Sequence, residues 1–208
     1  MSDTREFHKG GETKKLIEVA AMELFAEQGY KGTSVRKIAA KVGIRESALY
    51  NHFSNKEAIF LAIAERVFSS PFAQQKTDEF IQEYAKKGKS FLQKFTTEFK
   101  LMTFDHNHEK LFRIMLIELM QNEELRGGFW QQFHESNIRF LSSGLFIMMQ
   151  EGIIRSEDPM TLANVYLGQM FYLRMQVSLL KADKKSTTSL STAFERQMEL
   201  FWGMISIK

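Results

Sequence analysis

The sequence predicts an all-α protein. Apolar residues recur at three- and four-residue intervals along most of the chain, and no stretch shows the period-two alternation of a half-buried strand. Only two prolines, Pro71 and Pro159, interrupt the 208 residues, which leaves room for long helices. No internal repeat or low-complexity tract breaks the pattern. A chain of this length suits one or two small domains with a sizeable core. The absence of cysteine excludes disulfide and thiolate-metal chemistry. No apolar run reaches transmembrane length, and the opening MSDTREFHKGGETKK is too polar for a signal peptide. The expectation is a soluble, cytoplasmic protein with no membrane contact.

Residues 1–12 read as a solvated tail, or alternatively as a basic arm continuing into Lys14 and Lys15. A first helix is expected from Thr13 to Gln28, with Leu16, Ile17, Ala20, Leu24 and Phe25 as its inner stripe and Gly29 as its stop. A second runs from Ser34, a reasonable N-cap, to Lys41, with Val35, Ile38, Ala39 and Val42 on one face. Gly43 ends it where a left-handed residue is needed. A third, from Arg45 to Phe53, turns Leu49 and Phe53 inward, and Ala39 is small enough to let the two helices cross closely. Ser54-Asn55-Lys56-Glu57 spells a capping box, S-x-x-E, opening a helix that reaches Phe68 before Ser69-Ser70-Pro71 breaks it. Six further helices are expected: Thr77 to Lys87, Ser90 to Thr103, Lys110 to Gln121, Gly128 to Glu151, Met160 to Ala182 and Leu190 to Ile207. The breaks between them fall at Gly88, Asp105 to His108, Arg126 to Gly128, Ser156 to Pro159 and Asp183 to Ser189.

Two short helices joined by a glycine turn make a helix-turn-helix, whose second helix enters the DNA major groove. Ile38-Ala39, Val42-Gly43-Ile44, Leu49-Tyr50-Asn51-His52-Phe53 and Asn55-Lys56-Glu57 together resemble the N-terminal signature of the TetR family of bacterial transcriptional regulators, the TetR/AcrR-like repressors. That signature runs T-x-x-x-I-A-x-x-A-G-V-S-x-x-x-L-Y-x-H-F-x-x-K-E, and the match extends from about Leu16 to Phe60. Arg45 stands where the family usually has serine, and Glu46, Ser47 and Ala48 replace a Lys-Gly-Thr-like run. The scaffold positions agree while the first turn of the recognition helix differs, so the operator of a relative does not transfer. Residues 1–56 carry 10 Lys or Arg against 7 Asp or Glu, while the remainder of the chain balances. The positive excess therefore coincides with the helix-turn-helix and suits phosphate attraction.

The resemblance implies a DNA-binding domain over 1–56 and an all-helical regulatory and dimerisation domain over 57–208. It implies a homodimeric, ligand-responsive repressor released from a pseudo-palindromic double-stranded operator by a small lipophilic effector. A DNA-binding architectural or protein-interaction factor without a small ligand is the alternative. By the same resemblance Thr33, Tyr50, His52 and Lys56 hold phosphates. Arg45, Glu46, Ser47 and Asn51 are the candidate base readers. Arg45 suits guanine or a phosphate, and Glu46 suits a cytosine amino group or merely the helix dipole. Tyr50 packing on the first helix is its structural alternative.

The middle of the chain is rich in phenylalanine and methionine, whose side chains make either an ordinary core or the adaptable walls of a lipophilic site. Phe95, Phe99, Met102, Phe112, Met115, Glu118, Phe133, Tyr166, Met170 and Arg174 form the candidate ligand set. Glu118 and Arg174 interrupt apolar runs and must be paired or solvated; pairing, ligand contact and simple exposure all stay open. The last two helices carry Leu162, Tyr166, Leu173 and Val177, then Phe194, Met198, Phe201 and Ile205, with Leu200, Met204 and Ile207 beside them. These stripes are the candidate dimer interface, and Gly168 permits close approach. Asp105-His106-Asn107-His108-Glu109 reads as a solvated loop rather than a metal site. No catalytic, nucleotide-binding or metal motif is present, and no enzymatic activity, cofactor or metal is expected.

Overall fold

A computed structural model describes residues 3–68 and 77–207. Eleven α-helices follow one another among them, and no strand pairs with another beyond a single antiparallel bridge between Ile154 and Ser206. The chain divides into two compact units, Met1–Phe68 with Lys110–Gly128, and Ser69–Glu109 with Phe129–Lys208.

The first unit begins with α1 (Asp3–Gly32), so the expected tail is helical from its third residue. Its Gly29 leaves the helix with φ 73° and ψ 168°, a conformation open to glycine, and one more turn follows. Ile17, Ala20, Leu24 and Phe25 point inward as expected, whereas Leu16 is exposed and the buried neighbour is Ala21. The stripe is thus the expected one with Ala21 in place of Leu16. Next come α2 (Val35–Val42), α3 (Glu46–Tyr50) and α4 (Lys56–Phe68). The Ser34 hydroxyl caps α2 by accepting from Lys37 N at 3.2 Å. α4 is capped one residue later than the S-x-x-E pattern suggests: Asn55 Oδ1 accepts from Ala58 N at 2.7 Å, and Glu57 faces Asn122 instead. Phe25 meets Phe60 edge-on at 5.5 Å, and Tyr30 closes the cluster at 4.8 Å from Phe60. The rest of the unit is the greater part of α7 (His106–Glu118) and α8 (Glu123–Gly128).

The second unit holds α5 (Asp78–Ala85), α6 (Lys89–Phe104), α9 (Ser136–Gln150), α10 (Pro159–Ala182) and α11 (Ala193–Ile205). Thr77 and Asp158 cap α5 and α10 through their side-chain oxygens. Asp105 is a cap as well, since its Oδ1 accepts from Asn107 N, His108 N and His108 Nδ1, and the expected loop shrinks to that one residue. These bonds hold the Asp105 carboxyl below the usual carboxylate range. Arg126 to Gly128 does not break the chain: α8 runs through it into a π-helical stretch, Phe129–Glu135, and the break falls at Leu119 to Asn122. The break expected at Ser69 to Pro71 lies outside the described residues. α9 packs on α5 and α10, α6 packs on α10 and α11, and Phe91, Phe95, Phe140, Leu145, Met170, Val177 and Phe201 fill the space between them.

Candidate nucleic-acid interface

The helix-turn-helix is built on a short apolar spine. Ile38, Ala39, Leu49 and Phe53 are buried, which fixes the faces that α2 and α3 turn away from solvent. Gly43 adopts φ 80° and ψ 28°, so its N–H and that of Ile44 return to Ala39 O at 3.0 Å each and close the end of α2. The chain can then reverse into α3. That helix is only five residues long and starts without a side-chain cap, because Arg45 occupies the N-cap position. Glu46 in its first turn complements the positive end of the helix dipole.

The outward face carries Arg45, Glu46, Ser47, Tyr50 and Asn51, all exposed. Tyr50 is half exposed, so its ring does not pack fully on a neighbour. His52 is half-buried at the end of α3. Two of the residues assigned to phosphate by resemblance are held inward. Thr33 is buried, and its hydroxyl donates to Gly29 O at 2.9 Å. Lys56 Nζ donates to Tyr30 O at 2.8 Å and Thr33 O at 2.9 Å while lying 4.1 Å from the centre of the Tyr30 ring. Burial lowers the Lys56 pKa, and the Glu118 carboxylate works against that shift. Burial raises the Tyr30 hydroxyl, with Glu57 and Glu118 adding to it.

Other basic side chains of the unit are engaged too. Lys41 pairs with Glu23 at 2.8 Å, and Lys37 reaches Gln28 and Gly32 O. Lys14 lies over the Phe53 ring at 5.3 Å, which sets one of the candidate arm cations beside the end of the helix-turn-helix. Arg36 was missed by the sequence reading. It is exposed on α2 and makes no ion pair among the described residues. The signal for it was its place opposite Ile38 in the helical period.

The candidate ligand residues separate. Phe112, Met115 and Glu118 belong to the first unit, and Phe95, Phe99, Met102, Phe133, Tyr166, Met170 and Arg174 to the second. Arg174 is buried, with its guanidinium 5.9 Å above the Phe99 ring and Nη1 4.0 Å from Met102 Sδ. Burial lowers its pKa to about 9, against the pull of the buried Glu109 carboxylate. Tyr166 hydrogen-bonds Thr96 inside the same core, and burial raises its hydroxyl. The clefts described in this unit have other walls. One of about 470 Å³ lies between α5 and α9 beside Asp78, Ile81, Arg139 and Phe140. A second of about 300 Å³ is lined by His134, Ile138, Arg139, Met160 and Asn164.

The two expected association stripes also face inward. Tyr166, Leu173, Val177, Phe194, Met198, Phe201 and Ile205 are buried within the single chain, and Leu162 is half-buried. Their apolar area is already removed from water by the intramolecular core, so it is not free to drive association. The outward stripe on α10 is Val165, Gly168, Tyr172 and Leu179, and on α11 it is Leu200, Gly203 and Met204, with Ile207 just beyond. Among the described residues no helix is long and apolar enough to cross a membrane, and no group of three or more His, Asp or Glu is placed to hold a metal ion.

A compact helical unit with this turn geometry is a helix-turn-helix unit. Residues 17–63 match the family described as bacterial regulatory proteins, tetR family. The chain is 27% identical over 146 residues to the uncharacterized HTH-type transcriptional regulator YerO of Bacillus subtilis, covering 69% of this chain and 49% of YerO. It is 34% identical over 110 residues to the fatty acid metabolism regulator protein of the same organism, covering 51% of this chain and 53% of that protein. The chain spans about half the length of both relatives. Among solved structures, the SmeT–triclosan complex superposes with a TM-score of 0.71 at 20% identity, covering 95% of this chain and 93% of that one. SmeT is the repressor of the Stenotrophomonas maltophilia multidrug efflux pump SmeDEF. At that identity the likeness speaks for the fold alone.

Proposed function

We propose that the protein is a dimeric, sequence-specific DNA-binding regulator of transcription, a repressor acting in the cytoplasm and released from its operator by a small lipophilic effector. The observation that carries this reading is the exposed α3 face, Arg45, Glu46, Ser47, Tyr50 and Asn51, held out by a buried Leu49. These side chains supply guanidinium, carboxylate, hydroxyl and amide groups, the set that reads base edges in a major groove. Exposed Arg36 on α2 and the phenol of Tyr50 are placed to take phosphates, which set register without choosing sequence. Thr33 and Lys56 act differently in this proposal. They hold the loops before α2 and α4 and leave backbone N–H groups at the α2 start to meet phosphate.

Association through the outward stripes of α10 and α11 gives a four-helix bundle with two-fold symmetry, and Gly168 and Gly203 let the backbones approach. Two recognition helices then address half-sites about one helical turn apart, roughly 34–36 Å. The effector reading draws on the aromatic and methionine content of the second unit. It also draws on two relatives, one named for fatty acid metabolism and one bound to triclosan. The test is selection of binding sites from random DNA pools with the purified protein at two salt concentrations. A pseudo-palindromic motif with steep salt dependence is the expected result, and weak, sequence-indifferent binding would overturn the reading.

A further inference from the structure

Asn122 stands far along the chain from the helix-turn-helix, yet it belongs to the same compact unit. Both ends of its amide are committed. Oδ1 accepts from Leu125 N at 2.8 Å and caps α8, while Nδ2 donates to Glu57 Oε1 at 2.9 Å on the first turn of α4. The next residue along from that carboxylate is Lys56, whose ammonium grips Tyr30 O and Thr33 O immediately before the Ser34 cap of α2. Nearby, Gln121 Oε1 accepts from Lys31 Nζ at 2.9 Å, and the buried Glu118 carboxylate acts on Lys56 and Tyr30. The corner between α7 and α8 therefore holds α4 and the end of α1 together, at the junction from which α2 and α3 project.

We propose that Asn122 is a positioning residue for DNA binding: by holding Glu57 it fixes the first turn of α4, and through Lys56 it fixes the α1–α2 junction that presents the recognition helix. The inference rests on the DNA-binding reading above. It extends the DNA-reading machinery to a side chain outside the N-terminal segment, one that touches neither base nor phosphate.

Asn122→Asp separates its two roles, since a carboxylate keeps the α8 cap but loses the donor and faces the Glu57 carboxylate. The full-length variant is expected to bind the site selected by the wild-type protein about tenfold more weakly, with unchanged sequence preference. Glu57→Gln combined with Asn122→Asp restores the hydrogen bond with donor and acceptor exchanged, and is expected to recover affinity to within about threefold. Hydrogen exchange without DNA supplies an independent readout: amides 30–34 and 57–60 exchange faster in Asn122→Asp and return to wild-type rates in the swapped pair. Asn122→Ser, which keeps a cap without adding charge, serves if the aspartate variant does not fold. Unchanged exchange and affinity, or a loss that the swapped pair does not reverse, would overturn the proposal. If the wild-type protein selects no DNA site, the DNA-binding reading fails on its own, and the exchange rates alone decide whether Asn122 positions the junction.

Discussion

A single hydrogen atom in place of a methyl group decides how closely α9 meets its neighbours. A Cβ on Gly144 would fall 2.3 Å from Cζ of Phe91. That ring is buried and stacked on Phe140 at 5.0 Å, so it cannot swing away without disturbing a second ring. Gly144→Ala gains about 1 kcal/mol of helix propensity. Overpacking of about 1–3 kcal/mol opposes it. The contact distance decides the sign: the variant is expected to unfold at lower urea concentration than wild type, and a stabilised variant would show that Phe91 has room to move. Arg45 poses the opposite kind of question, because it is exposed and makes no ion pair among the described residues. Its loss should leave folding unchanged. If it reads a guanine, Arg45→Ala relaxes the selected motif at one position per half-site at a cost of about 1–3 kcal/mol. If it meets a phosphate, affinity falls across all sequences and the salt dependence flattens.

Helices α10 and α11 are apolar around more than half of their circumference, and this limits what sequence can say about them. Helical spacing finds a wide apolar face, but it does not say which of two adjacent stripes within that face turns inward. Tyr166, Leu173 and Val177 take the core while Val165, Tyr172 and Leu179, on the same helix, face out. Where local chemistry decides, the sequence was legible: the Ser34 cap and the left-handed Gly43 follow from side-chain reach and backbone sterics alone. The outward α3 residues were legible for the same reason, since a buried Leu49 dictates what lies opposite it. The inward turn of Lys56 was not, because its acceptors, the Tyr30 and Thr33 carbonyls, are backbone groups that residue identity does not disclose. The two stripes make separate predictions. Tyr172→Glu places a charge on the exposed face and should yield a folded monomer by light scattering. Val177→Ala removes buried methyl groups and should lower stability without shifting the oligomeric state. A Tyr172→Glu protein that remains dimeric would move the interface elsewhere.

Across the whole molecule, the division into two units groups residues 110–128 with the helix-turn-helix and assigns the rest of the later chain to the other unit. A pattern of apolar residues reports that a segment packs, not against what, so this return of the chain is a tertiary fact. It also makes single-transition unfolding a poor assumption. Both tryptophans, Trp130 and Trp202, lie in the second unit, so their fluorescence follows that unit alone. The charge at its centre is Arg174, whose pKa burial has lowered to about 9. A cation with a depressed folded pKa binds its proton less tightly than in the unfolded chain. At neutral pH its burial is therefore a standing cost, which would lessen only as pH rose above about 9 toward the unfolded value. Glu109, buried in the same unit, offsets part of that cost. Removing the cation alone leaves the carboxylate behind, so Arg174→Leu should destabilise the tryptophan-reported transition by about 3–5 kcal/mol. Replacing both, Arg174→Leu with Glu109→Leu, should recover most of the loss, because two apolar side chains carry no desolvation penalty. Urea titrations of the wild type, both single variants and the double variant complete the cycle. A double variant as unstable as Arg174→Leu would mean that packing on Phe99 and Met102, not charge, holds the guanidinium in place.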